Sequence, residues 1–310
     1  MSTVTASRLT KIGGKGKKQY NRAPLWGLGF VAPTVIGLCI LNIYPFFYTI
    51  WLSLQKSQGL GKAKYIGLKN YQNLLSDSMI WQTTGNTLMF VLLTVPVGVF
   101  LALILATLLN NKIKGRDLYR GIYFLPMVVA PAAVAMVWKW IFNSDVGILN
   151  QILKIFGIQG PTWIADPNTA LLSCAIINIW SAVGYDLVLL LAGLQSIPNT
   201  YYEAAEIDGA NSFQRFFHIT VPLISPTLFF VVLMRTMTSL KQFDTVYLLV
   251  PANNPAYKQS ATLMTLFYRE AFEKFNKGYA SAIVIFSFVL ISIFTVIQFV
   301  AEKKLVHYEE

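Results

Sequence analysis

The chain has 310 residues, of which 55% are hydrophobic and only 13% charged, and its formal net charge is +11. Soluble domains carry about 25% charged residues. The deficit and a mean hydropathy of +0.53 exclude an ordinary soluble domain and place the chain in the bilayer.

The N-terminal stretch is polar and basic, with Arg8, Lys11, Lys15, Lys17, Lys18 and Arg22 ahead of the first apolar run. We read residues 1–23 as a basic cytoplasmic tail and 24–310 as the membrane domain. A second basic cluster, Lys112, Lys114, Arg116 and Arg120, sits in one short loop. Two such clusters beside apolar runs fit cytoplasmic flanks under the positive-inside rule better than a nucleic-acid face. The tail is not a signal peptide, because no small-residue cleavage site follows its apolar stretch.

Six apolar runs then follow in chain order, over about 24–54, 85–110, 120–142, 169–194, 220–242 and 280–301. Each exceeds the roughly 20 residues that cross a hydrocarbon core. Backbone groups in lipid must be satisfied within the segment, so the runs are predicted to be helices, and no barrel-like alternation is present. Trp26 and Trp51 bracket the first span, and Trp138 and Trp140 close the third around a snorkelling Lys139. With the tail inside, both termini are cytoplasmic, 111–119 and 195–219 are inner loops, and 55–84, 143–168 and 243–279 are outer ones. The outer stretch 257–277 has near-helical apolar spacing and is expected to lie as an amphipathic helix on the outer rim. The two cysteines, Cys39 and Cys174, lie in apolar runs and read as small buried hydrophobes.

Loop 195–219 is richer than a mere connection, reading YYEAAEIDGANSFQRFFHITVPLISP from Tyr201 into the fifth span. Thr200 and Glu203 fit a capping box after Pro198. About two helical turns follow, Gly209 breaks them, and a second short helix runs through Phe213, Phe216 and Phe217 before Pro222 and Pro226 redirect the chain. Ala204, Ala205 and Ala210 allow close approach of another surface, the phenylalanines offer apolar anchors, and Glu203 and Asp208 offer carboxylates. A helix resting on anionic lipid would carry Lys and Arg instead, so the acidic half suits a protein partner.

This loop resembles the EAA loop of sugar-type permeases in binding-protein-dependent ABC importers, the group with the maltose and glycerol 3-phosphate systems. GLKNYQNLL after the first span, LPMVVAPAAVAMVWKWIF in the third and GLQSIP before the loop look like the same family. The resemblance implies an all-α membrane protein of the type I permease fold, six transmembrane helices with a cytoplasmic coupling helix. It implies that Glu203, Ala204, Ala205, Asp208, Gly209, Ala210 and Phe213 engage a separate ATPase. The implied partners are a second homologous permease, an ATP-binding subunit dimer and an extracytoplasmic solute-binding protein, in a bacterial cell membrane. ATP and Mg would then reside on the partner, with no cofactor on this chain.

Polar residues inside spans are functional candidates. Arg235, Thr238, Ser239 and Gln242 share one face of the fifth span, and Asn178, Ala182, Tyr185 and Asp186 one face of the fourth. Two readings compete. In one, Arg235 pairs with Asp186 and the rest hold helices together. In the other, Asn178, Tyr185, Arg235, Thr238, Ser239 and Gln242 line a solute pathway, as the resemblance implies, and Arg235 hints at an anionic solute unless it is paired. No phosphate-binding loop, metal-ligand spacing or catalytic constellation is visible, so no catalytic or metal residues are assigned. The alternative function is an ion-coupled secondary transporter or channel working without an ATPase, which usually shows inverted repeats that are not evident here.

Overall fold

A computed structural model describes residues 23–306 except 58, 60, 62, 112 and 113. The basic tail, Lys62, Lys112 and the side chain of Trp26 therefore lie outside the described residues. The chain divides into two compact units, residues 1–48 and 49–310. The described part of the first comprises α1 (Ala23–Leu38), a π turn (Cys39–Ile43) and the start of α2 (Tyr44–Ser53). Cys39 is exposed there, contrary to expectation, while Cys174 in the second unit is fully buried.

The second unit begins with the end of α2 and a two-residue hairpin, β1 (Gln55–Lys56) against β2 (Lys64–Tyr65), which the apolar pattern did not announce. It continues with α3 (Lys69–Ser76), α4 (Ser78–Asn110), α5 (Arg116–Val128), α6 (Pro131–Ile141), α7 (Ile148–Ile155) and α8 (Ala170–Ser196). After these come α9 (Asn199–Ile207), α10 (Ser212–Arg215), a π turn (Phe216–Thr220) and α11 (Val221–Leu240). Last are α12 (Asp244–Leu249), α13 (Tyr257–Ser260), α14 (Leu263–Tyr268), a π turn (Arg269–Glu273) and α15 (Lys277–Leu305).

Among the described residues, five helical stretches are individually long and apolar enough to cross a membrane: 28–53, 78–110, 170–196, 212–249 and 277–304. The third predicted span is not one rod. It is α5 and α6, which meet at 98°. Pro131 occupies the first turn of α6, and Ala130 before it is extended at φ −57°, ψ 133°. The ring of a proline drives its predecessor out of the helical region, so the bend is written at this position.

The core of the second unit is α4 packed along α8, with α5 against α8 and α11 against both. Small residues set the spacing, as expected where lipid removes the hydrophobic drive between helices. Gly184 on α8 is buried, and a Cβ there would collide with the Tyr123 carbonyl of α5 and stand 3.0 Å from Phe124 Cα. Gly193 meets α11, where a Cβ would stand 2.7 Å from Thr227 Oγ1. Because the obstacle at Gly184 is backbone, Gly184→Ala should push α5 away and cost about 1–3 kcal/mol. The check is the midpoint of detergent-induced unfolding, with Gly121→Ala, which meets nothing within 4 Å, as control.

The stretch 257–277 departs from expectation. It is broken at Ala261 and Thr262 and packed inward, with Leu263 1% and Leu266 4% exposed. Side-chain hydrogen bonds hold it in place. Asn86 of α4 donates to the carbonyls of Lys258 and Ala261 at 3.0 and 2.9 Å, and Thr87 Oγ1 accepts from the Leu263 amide at 3.1 Å. Thr262 Oγ1 reaches back to the Gln242 carbonyl at 2.8 Å. These buried polar groups, ordinary in sequence, turn a would-be surface helix into part of the core.

Candidate functional site: an intramembrane cavity and an exposed helical corner

A cavity of about 430 Å³ opens between the bent α5–α6 pair, α8 and α11. That lies within the usual 300–1,000 Å³ range of ligand pockets. Its polar lining includes Asn178, Ser181 and Tyr185 of α8, Arg235 and Thr238 of α11, Gln242 just past the end of α11, and Asp244 and Thr245 of α12. Pro126, Met127, Val129 and Pro131 at the α5–α6 bend close another side. The bend therefore does structural work: a straight third span would not place its own apex against α8 and α11.

Five of the six residues expected along a pathway thus share one cavity, and Ser239 does not. Ser239 is 1% exposed and faces α4, its Oγ 2.9 Å from Thr94 Oγ1. Helical periodicity placed Ser239 beside Thr238, but the two are about 100° apart around the axis, which is enough to face a different neighbour. Asp244, Thr245 and Ser181 were missed, the first two because α12 lies past the end of the apolar run.

Arg235 pairs with Asp186, Nη1 to Oδ2 at 3.5 Å, with the side chains only 3% and 6% exposed. Nη2 of Arg235 donates to the Asn178 carbonyl at 3.4 Å. Gly98 of α4 supplies the room, since a Cβ there would stand 2.9 Å from Nη2. Asn178 Nδ2 donates to Gln242 Oε1 at 2.8 Å. The polar groups of α8 and α11 are therefore linked across the cavity. Both competing readings of the stripe meet in one place: the ion pair holds helices together and also forms part of a wall.

The loop between α8 and α11 has a different character. Gly209 has φ +76° and ends α9, its amide bonded to the Glu206 carbonyl at 3.1 Å. Glycine adopts that conformation without the penalty other residues meet. The capping box lies elsewhere than expected. Pro198 is the N-cap of α9, Thr200 is already inside the helix, and the reciprocal pair is Asn211 with Gln214 at the start of α10, both bonds 2.9 Å. Asn211 follows the glycine turn and has the extended backbone that a cap requires. Nor do Pro222 and Pro226 redirect the chain. α10 runs through the π turn into α11 as one stretch, with Pro222 directly after that π turn.

Glu203, Ala204, Asp208 and Gly209 are exposed, and Ala205 and Ala210 half-buried. Phe213 is 72% exposed, its ring tilted against Phe217 with 4.6 Å between centroids. Ile207, not singled out from sequence, is 87% exposed. Its signal was there to read, as an aliphatic residue next to the breaking Asp208-Gly209.

The chain matches the model of a family described as binding-protein-dependent transport system inner membrane component, over residues 94–307. This protein belongs to that family. It is 33% identical over 95% of its length to a probable ABC transporter permease, YesP, of Bacillus subtilis, covering 96% of that protein. It is 34% identical to MalF, the trehalose/maltose transport system permease of Thermococcus litoralis, over 91% of this chain and 94% of that one. A bacterial alginate ABC transporter, solved with its alginate-bound periplasmic protein, has a chain that superposes with a TM-score of 0.83. That match has 22% identity over 94% of this chain and 98% of the other, and shows the shared fold. The resemblance to sugar-type ABC permeases and the all-α type I permease fold are therefore established.

Proposed function

We propose that this chain forms half of the translocation pathway of an ATP-driven importer of a carbohydrate or a related polyol or sugar phosphate. The cavity carries the reading: amide, hydroxyl and phenol groups at Asn178, Ser181, Tyr185, Thr238 and Gln242 converge on one space beside apolar walls. Such a mixture suits a solute with many hydroxyls and an apolar ring face. The relatives named for trehalose/maltose and alginate transport support the same class.

ATP hydrolysis sits on a partner. The exposed corner formed by α9, Gly209 and α10 docks into that ATPase, with Glu203 and Asp208 as polar contacts and Ile207 and Phe213 as apolar ones. A second homologous permease completes the pathway, and an extracytoplasmic binding protein delivers solute. Both termini and the 195–219 loop face the cytoplasm, consistent with Lys114, Arg116, Arg120 and Arg215 near this end. Closure of the ATPase pair would draw the two corners together and open the pathway outward, a rigid-body transition between two states.

The test is reconstitution into proteoliposomes with and without the partner permease, ATPase and binding protein of this reading. Radiolabelled maltose, trehalose and glycerol 3-phosphate serve as probes. Uptake is expected only with all partners and ATP inside. Uptake by this chain alone, driven by an ion gradient, would establish the secondary-transporter alternative instead.

A further inference from the structure

Three charged side chains line the cavity: Arg235, Asp186 and Asp244. Two of the cation's nitrogens are engaged within the protein, and its Nε is buried without a hydrogen-bond partner among the described residues. Arg235 Nη1 faces Asp186 Oδ2 at 3.5 Å, and Nη2 donates to the Asn178 carbonyl. The edge bearing Nε and Nη2 is pressed toward Gly98 of α4, where a Cβ would stand 3.3 and 2.9 Å away. A guanidinium placed to grasp a solute carboxylate or phosphate presents two parallel N–H groups to it. Here the Nε–Nη2 edge is turned to Gly98 of α4 and Nη1 to Asp186.

Acceptor capacity remains open in the same wall. Asn178 Oδ1 is buried with no hydrogen-bond donor among the described residues, and Asp186 Oδ2, also buried, has the 3.5 Å ion-pair contact to Arg235 without a hydrogen bond. Both belong to residues of the cavity wall. Orphaned acceptors call for a hydroxyl or amine donor, which a sugar hydroxyl supplies and a carboxylate or phosphate dianion does not. Neither oxygen has free surface in this structure, and contact with a solute would require α8 and α11 to shift. Asp244, exposed at the cavity's edge, adds a further negative charge that no lining cation offsets.

Resting on the saccharide-pathway reading, we propose that Asp186 and Asp244 are specificity-determining residues that make this half-pathway select uncharged, hydroxyl-rich saccharides and reject acidic ones. Asp186 does so twice over, by neutralising Arg235 and by offering an acceptor. Asp244 screens entry by like-charge repulsion.

The experiment uses the purified complex with partner permease and ATPase, leaving out the binding protein so that its own selectivity does not enter. Equilibrium dialysis compares cellobiose with cellobiouronate, which differ by one carboxylate. The intact complex is expected to bind the neutral disaccharide at least about tenfold more tightly, the equivalent of roughly 1.4 kcal/mol. Asp186→Asn should erase most of that ratio. Asp244→Asn alters an exposed side chain, so it keeps a readout if the first variant does not assemble, and should lower the ratio about threefold. A ratio near one in the intact complex, or an unchanged ratio in each variant that assembles, overturns the proposal. Loss of ATP-driven uptake in the complete system would instead sink the importer reading. Absence of binding by either disaccharide, in a complex that still imports solute, would remove the saccharide pathway and this selection with it.

Discussion

Asp186→Ala alone will destabilise the protein by about 3–5 kcal/mol, because it leaves a buried guanidinium without its counter-charge. Arg235 is 3% exposed and its Nε already lacks a partner, so little in the surroundings can compensate. Replacing both members together, as Asp186→Leu with Arg235→Met, should cost far less, since a buried ion pair exchanged for apolar residues of similar size is often neutral. The two variants separate cleanly in unfolding midpoint and yield of folded protein. Transport separates them differently: the double variant should fold yet lose the charge pattern of the cavity wall. A double variant as unstable as the single would mean that packing around α8 and α11, and not charge balance, sets the cost.

That pair illustrates what was legible in the sequence. Arg235 and Asp186 are ionisable residues within apolar runs, and the expense of an isolated charge in lipid demands a partner for each. The demand identified the pair without coordinates. Helical periodicity likewise brought Asn178, Tyr185, Thr238 and Gln242 to one space, because positions three or four apart share a face. It failed for Ser239, whose hydroxyl is claimed by Thr94 on α4, and nothing local to the fifth span announces which helix lies on which side.

Other departures have the same origin in tertiary context. The bend between α5 and α6 was written in Pro131, yet Pro96, Pro126 and Pro226 lie inside helices that continue through them. A proline in a span is therefore an ambiguous sign until the neighbouring backbone is seen. Residues 257–277 carried an amphipathic pattern that fits a membrane surface and a protein core equally well. Asn86 and Thr87, some 170 residues earlier, decided the matter through hydrogen bonds to the Lys258 and Ala261 carbonyls and the Leu263 amide. In loop 195–219 the glycine break was legible from its chemistry, whereas Thr200 and Asn211 are both acceptable caps, and only the turn at Gly209 selects Asn211.

Gly209→Pro should reduce solute uptake by at least tenfold while leaving membrane insertion unchanged. Proline holds φ near −65°, whereas Gly209 requires +76°, and proline also lacks the amide that bonds the Glu206 carbonyl at 3.1 Å. The corner between α9 and α10 would then lose its angle, and with it the joint presentation of Ile207 and Phe213. Gly209→Asn, which tolerates the left-handed conformation, should retain most activity. Ile207→Asp and Phe213→Asp probe the surface without touching the backbone. If these exposed side chains sit in an ATPase cleft, burying a carboxylate there weakens assembly, and each variant should copurify with less ATPase. Glu203→Lys reverses a charge on the same surface and should act alike. The informative comparison is ATP hydrolysis against uptake in one preparation. Uptake should collapse in the Pro variant, with hydrolysis either persisting unlinked to transport or lost with the ATPase. Normal uptake and normal ATPase retention in all of Gly209→Pro, Ile207→Asp and Phe213→Asp would show that force enters this chain elsewhere than at the α9–α10 corner.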